Sequence, residues 1–366
     1  MAALKELYSH DFFDIFAQAL SNEVPGFDKA IFFERIFDNS WENLELKERM
    51  RHTTKVLNSF FSGDVFSDID CIKRLVPQLQ KLGVKNGNLE YILLADYIEV
   101  FGQEYFEEAF NAFQIVTPFS TCEFAIRPFI LKYPDKAIPL MLKWCSHSNE
   151  HVRRLASEGC RPRLPWAMAL PPLKKNPAPI FPIIQALLFD ESEYVRRSVA
   201  NNLNDISKDH PQLVLEFAQK WIGHSENTDK LIKHACRGLL KSNFPGIMDL
   251  FGLGVAEEHV QVEMQLTEPK VTMGGDLYFS VNIKNAASHS LKLRLEYAVY
   301  FLRQNGTWSK KVFKISERNA LSNETVSLLK KHSFRYITTR KYYSGIHYVS
   351  AIVNGIEFHK HEFELI

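Results

Sequence analysis

The 366-residue sequence has little cysteine, no long apolar run and almost no net charge. The five cysteines, at 71, 122, 145, 160 and 236, form no CxxC pair and leave an odd number. That spacing argues against a disulfide framework or a structural zinc site. No stretch approaches the ~18–20 apolar residues of a membrane span. The opening MAALKELYSHDFFDIF has acids where a signal peptide has its apolar core, so a reduced, cytoplasmic chain with no membrane partner is expected. A P-loop, an HExxH and a GxSxG are also missing, and Gly252-Leu253-Gly254 lacks the third glycine and the preceding strand of a dinucleotide fingerprint. His147 and His151 are four apart, a spacing that can bind metal, but no third ligand is evident. Neither a metal nor an organic cofactor is expected.

What is present is ample apolar material and an uneven charge pattern. Hydrophobic residues make up 46% of the chain, which excludes disorder, and the length suits two domains. The overall charge of +1 divides into −9 over residues 1–126, +7 over 127–241 and +3 over 242–366. A basic middle behind an acidic start fits a polyanion-binding surface, or uneven sampling of surface charge.

Residues 1–253 read as helical and 258–366 as strands. Apolar residues recur at helical spacing in Phe12, Phe13, Phe16 and Leu20, and again in Val195, Val199 and Leu203. From about Glu258 the pattern alternates, as in DLYFSVNIKN and LKLRLEYAVYFLR, with turn signals at Gly274-Gly275, Asn305-Gly306 and Asn354-Gly355. About seven strands in roughly 110 residues fit a small immunoglobulin-like β-sandwich, joined by a linker near 252–257. The helical part repeats: NEHVRRLASEGC at 149–160 aligns with SEYVRRSVANNL at 192–203. The offset of 43 lies within the ~40–47 of HEAT-type repeats, so the fold class expected is mainly α, a HEAT-like helical-repeat solenoid followed by an all-β sandwich. A blurred third copy carries LIKHACRGLLKS, with Lys233 and Arg237, in place of its second helix.

Residues four apart on a helix share a face. That pairs Arg154 with Glu158, Arg197 with Asn201 and Asp205, and, one repeat earlier, Glu123 with Arg127. Each pair alone is ordinary surface chemistry contributing about 0.2–0.5 kcal/mol. Their recurrence in register is what gives a functional reading weight. The segment RPRLPWAMALPPLKKNPAP at 161–179 follows the Glu158 helix directly. Its prolines forbid a regular helix through most of it, and long ordered loops of this kind tend to be functional. It brings Arg161, Arg163, Lys174 and Lys175, with Trp166 among the prolines either as an apolar plug or as a stacking surface. The sandwich carries Lys310, Lys311, Lys330, Lys331, Arg340 and Lys341, which would touch phosphates or simply keep its outer face soluble.

The pattern NEHVRRLASEGCRPRLPW, followed by EYVRRSVANNLNDISKDHP and preceded by LKERMRHTT at 46–54, resembles the HEAT-like-repeat DNA alkylation-repair glycosylases. Within them it is most similar to the AlkC type with an immunoglobulin-like tail. The resemblance implies monofunctional excision of cationic N-alkylated bases, chiefly 3-methyladenine and 3-methylcytosine, from double-stranded DNA. It also implies no base flipping, no metal and no cofactor, in a bacterial, nucleoid-associated protein. The family's catalytic acids and tryptophan fall on Glu123, Glu158, Asp205 and Trp166. A base alkylated at N3 is already cationic and needs no protonation, so carboxylates would stabilise the sugar cation and place a water. Asp205 or Glu158 is expected to hold that water. The arginines and lysines Arg127, Arg153, Arg154, Arg161, Arg163, Lys174, Lys175, Arg196, Arg197, Lys233 and Arg237 are expected to bind DNA. A monomer is expected. The competing reading is a non-catalytic repeat scaffold that binds nucleic acid or protein. A third is AlkD-like specificity that includes 7-methylguanine.

Overall fold

The structure, a computed structural model, describes residues 4–254, 257–337 and 340–366. Residues 255 and 256 of the expected linker lie outside the described residues. Two compact units result: residues 4–210 with 222–235, and residues 211–221 with 236–366. The helix Pro211–Trp221 and the short helices Arg237–Ser242 and Ile247–Leu250 thus group with the strands.

The first unit is built of packed helices, each burying an apolar stripe against its neighbours. Val65–Lys81 packs on His10–Glu23 and on Phe106–Val116, and Leu46–Asn58 packs on Ile92–Phe101. Glu150–Gly159 packs on Pro134–Trp144 and on Glu193–Ile206, which in turn packs on Glu226–Ala235. The 43-residue repeat is thus a repeat of structure. Glu150–Gly159 is capped by Asn149, whose side chain accepts from the His151 amide at 2.8 Å, and Val152 and Val195 are both fully buried between helices. Close approach is what requires Gly159: a Cβ there would lie 2.7 Å from the Ile126 side chain. Among the described residues, no helix is long and apolar enough to cross a membrane. The five cysteines are buried and unpaired.

The second unit contains, beside those helices, an immunoglobulin-like sandwich of two sheets. Its strands are β1 (Val260–Leu266), β2 (Lys270–Val271), β3 (Asp276–Asn285), β4 (Leu291–Leu302), β5 (Trp308–Ala320), β6 (Thr325–Ser333), β7 (Gly345–Val353) and β8 (Ile356–Leu365). One sheet runs β1-β3-β6 and the other β2-β8-β7-β4-β5, all antiparallel except the short β2–β8 pair. Phe279, Val281 and Ile283 of β3 face Leu293, Leu295 and Val299 of β4 across the core. The β7–β8 hairpin turns at Asn354 (φ 48°) and Gly355 (φ 82°), the pair of left-handed residues a two-residue hairpin needs. Seven of these strands match the sequence pattern. The eighth, β2, is two residues long and holds its place through pairing with β8, so alternation has no room to reveal it.

Candidate active site

The candidate acids are brought together by tertiary packing in the first unit. Glu123 sits in the turn before helix Arg127–Lys132, Glu158 in the last turn of Glu150–Gly159, and Asp205 in the last turn of Glu193–Ile206. All three are at most 9% exposed. Cations alternate with them in one array. Arg154 contacts Glu123 Oε2 through Nη1 and lies 3.6 Å from Glu158 Oε1 through Nη2. Arg161 then donates to Glu158 Oε1 at 2.6 Å and to Asp205 Oδ2 at 2.8 Å. Lys208 closes the array on Asp205 Oδ1 at 2.9 Å. Ser198 adds a hydroxyl donor to Glu158 Oε2 at 2.6 Å, and Thr121 adds one to Glu123 Oε2.

The three carboxylates are therefore not equivalent. Both oxygens of Glu158 and both of Asp205 carry charged or hydroxyl donors. On Glu123 only Oε2 does, so among the described residues Oε1 is left open to a water or a substrate atom. Burial works against the charge on Arg154, but the Glu123 and Glu158 carboxylates outweigh it and hold its pKa above the ordinary value. The Tyr194 ring lies 4.8 Å from the Arg154 guanidinium, and the two join Glu123 and Thr121 in lining a cavity of about 210 Å³. Burial raises the Tyr194 hydroxyl pKa, so the ring faces the array in neutral form.

Trp166 is no apolar plug. It is 60% exposed, on the segment that also carries Arg161, and its φ is +65°. A second cavity, of about 480 Å³, is lined by Lys47, Arg51, Asp96, Thr121, Phe124 and Met168, among others. Asp96 is 2% exposed, takes the Thr54 hydroxyl at 2.7 Å and binds Arg51 through both oxygens. Burial, reinforced by Asp96, lifts the Glu99 carboxyl above its usual range although Arg51 opposes it. Lys47, Arg51, Asp96, Tyr194 and Lys208 were missed by sequence reasoning. The one signal was the run LKERMRHTTK, where Lys47, Arg51 and Lys55 fall four apart on one ridge.

Several expected DNA-binding cations have other work. Arg127 is fully buried, and its guanidinium donates to three backbone carbonyls, so it cannot reach a phosphate. The pairing expected between Glu123 and Arg127 also fails, because residues 123–126 form a turn and not a helix. Arg153 is 7% exposed, held by Asp190 at 2.6 Å and by the carbonyls of His147 and Ser148. Arg161 is buried between Glu158 and Asp205. Arg154 faces the array, Arg163 pairs with Asp209 at 2.6 Å, and Arg196 donates to the carbonyls of Asp190 and Glu191. Arg197 is exposed and pairs with the equally exposed Glu193 at 2.8 Å, a surface pair that a phosphate can displace; Lys175 is exposed, while Lys174 and Lys233 are half-buried. Arg237 lies in the second unit. Among the described residues, no three His, Cys, Asp or Glu side chains are grouped to hold a metal ion. His147 accepts the Asn149 amide and His151 packs edge-on against Tyr194.

Residues 99–239 match the family described as "DNA alkylation repair enzyme". Residues 261–366 match the one described as "Uncharacterised protein YhaZ, C-terminal Ig-like domain". The chain is 42% identical to YhaZ of Bacillus subtilis (strain 168) over 356 residues, 97% of each protein. The chain belongs to the DNA alkylation repair enzyme family. It lies in the branch with a C-terminal immunoglobulin-like domain. Its fold matches Pseudomonas fluorescens alkylpurine DNA glycosylase AlkC, solved bound to DNA containing an abasic-site analogue, with a TM-score of 0.93 and 31% identity over the whole of both chains. The glycosylase assignment of this AlkC-like branch thus rests on the full length of the molecule.

Proposed function

We propose that the chain is a monofunctional DNA glycosylase that removes cationic N-alkylated bases, 3-methyladenine and 3-methylcytosine, from double-stranded DNA without extruding them. The observation that carries this reading is the gathering of three buried carboxylates from three separate segments into one array, on the unit that presents an exposed tryptophan. The AlkC relative's abasic-DNA complex supports DNA as the partner.

The chemistry follows from charge. In an N3-alkylated base the C1′–N bond already has a good leaving group, and the bonding pair departs to neutralise the base. Positive charge then grows on the deoxyribose. Preorganised carboxylates in a partly dry cleft oppose that charge more strongly than water does. Glu158 and Asp205, saturated by donors, act as fixed negative charges. Glu123 Oε1, the open oxygen, accepts a proton of the attacking water as its oxygen bonds C1′. Trp166 stacks on the sugar or lesion, a cation–π contact of about 0.5–2 kcal/mol. Arg197 and Lys175, with Lys55 of the ridge in the N-terminal half, grip phosphates of the duplex. The sandwich adds backbone contacts through Lys311, Lys330 and Lys341, since Lys310 and Lys331 are paired with Glu357 and Asp276. We assign residues 1–253 to the glycosylase domain and 258–366 to this accessory role, in a monomer.

The test is Asp205→Asn. It is expected to abolish release of 3-methyladenine while duplex binding stays within threefold of wild type. Wild-type release by this variant would overturn the site.

A further inference from the structure

Trp166 is 60% exposed, so packing does little to hold it. Its side chain is exposed, yet its backbone sits in the left-handed region at φ +65°, where a bulky residue is strained. The turn around it shows why. The Ala167 amide donates to the Leu164 carbonyl at 3.3 Å, with Pro165 second and Trp166 third. That is the pattern of a type II turn, whose third position normally takes Gly or Asn. A tryptophan kept there with so little packing must be fixed through its backbone.

Two cations do so. Arg127 is a buried guanidinium with no carboxylate partner among the described residues; it donates to Gly159 O at 2.9 Å, Arg161 O at 2.8 Å and Met168 O at 2.6 Å. These carbonyls lie on either side of Trp166 in the chain, so one side chain ties both ends of the segment. Burial pushes its guanidinium down to about 10, which still leaves it charged at neutral pH. Lys47 donates directly to the Trp166 carbonyl from the helix Leu46–Asn58 and stands 5.0 Å from the Phe124 ring. The bidentate Arg51–Asp96 pair, one turn along, anchors that helix.

We propose that Arg127 and Lys47 are positioning residues that lock Trp166 in this strained turn, making it a rigid stacking surface for the damaged nucleotide. The inference rests on the reading of Trp166 given above. Rigidity matters because a misplacement of about 1 Å near a reacting centre costs up to a hundredfold in rate.

The test uses the full-length protein and the variants Lys47→Met, Arg127→Lys and Trp166→Ala, with Lys47→Met also combined with Trp166→Ala. Base release from methylated duplex is followed in single turnover. Trp166 accessibility is read as acrylamide quenching, taken as the difference from Trp166→Phe because the chain has five tryptophans. Arg127→Lys keeps the charge but loses the guanidinium fork that spans three carbonyls. Both clamp variants are expected to raise Trp166 quenching. Lys47→Met is expected to slow release measurably, but by no more than Trp166→Ala does, in the wild-type background, and less than about twofold beside Trp166→Ala, the non-additivity of residues that act as a unit. Affinity for undamaged duplex should stay within about twofold. Equal slowing in both backgrounds would mean that Lys47 acts on the DNA directly, and unchanged quenching in both clamp variants would sink the clamp. Wild-type release by Trp166→Ala alone would refute the stacking role instead, leaving the clamp to be judged by quenching.

Discussion

Glu123→Gln removes one negative charge from the array while keeping the shape of the side chain. Glu123 Oε2 accepts from Thr121 and Arg154, and an amide oxygen can accept from both. What folding loses is the charge assistance in those bonds. Hydrogen bonds to charged groups contribute about 1.5–3 kcal/mol against 0.5–1.5 for neutral ones, so the cost is about 1 kcal/mol and a few degrees in Tm. What catalysis loses is larger. Removing one preorganised electrostatic group costs about 10²–10³ in rate, roughly 3–4 kcal/mol of transition-state stabilisation. Glu158→Gln makes the contrast: both its oxygens face donors, so the new NH₂ group must turn to Ser198, whose buried hydroxyl then has to reverse from donor to acceptor and loses Glu158 as the partner of its proton. That mismatch in a buried site adds about 1–3 kcal/mol of instability. The assay is single-turnover base release beside thermal melting and duplex binding. Glu123→Gln is expected to be stable, to bind DNA and to be slow, whereas Glu158→Gln is expected to be both slow and less stable. A Glu123→Gln enzyme within threefold of wild type would refute the argument that the open oxygen of Glu123 handles the water.

Other consequences are open to measurement. Trp166→Ala should slow release about two- to thirtyfold, the equivalent of a cation–π contact, with Tm unchanged because the ring is exposed. Arg197→Ala should weaken duplex binding and reduce the salt dependence of affinity by about one unit of slope, as loss of a phosphate contact does. Arg153→Ala should leave that slope alone and cost about 3–5 kcal/mol of stability, because it strands the buried Asp190. His332 in β6 is held near 4 by burial, with Arg340 adding to the effect, while the unfolded chain protonates near 6.5. Stability of the sandwich is therefore full above about pH 6.5 and falls by roughly 3 kcal/mol as the pH drops towards 4. His332→Phe, set among Phe301, Phe313 and Phe334, should flatten that acid limb in a melting series.

The repeat was legible because it is local: a spacing of 43 and the shared VRR run place Val152 and Val195 at equivalent buried positions. The strands were legible by alternation, down to the Asn354-Gly355 turn. The acids could be picked out, but not the links between them. The bond from Arg161 to Asp205 joins residues in different elements, and no spacing rule predicts it. Arg127 shows the opposite failure. The rule that pairs residues four apart holds only inside a helix, and Glu123 precedes one. Counting cations as DNA ligands likewise failed at Arg153, since only burial distinguishes a phosphate contact from an internal brace. Asp96 carried no motif, and its partnership with Arg51, which the LKERMRHTTK run only places on a ridge, is made by packing two helices.

The most direct test of the central claim is chromatographic analysis of free bases released from methylated duplex DNA by the wild-type protein. Release of 3-methyladenine and 3-methylcytosine with little 7-methylguanine is the expected result. Abundant 7-methylguanine would contradict the proposed specificity, and no release of any base by a folded, DNA-binding protein would contradict the glycosylase account itself.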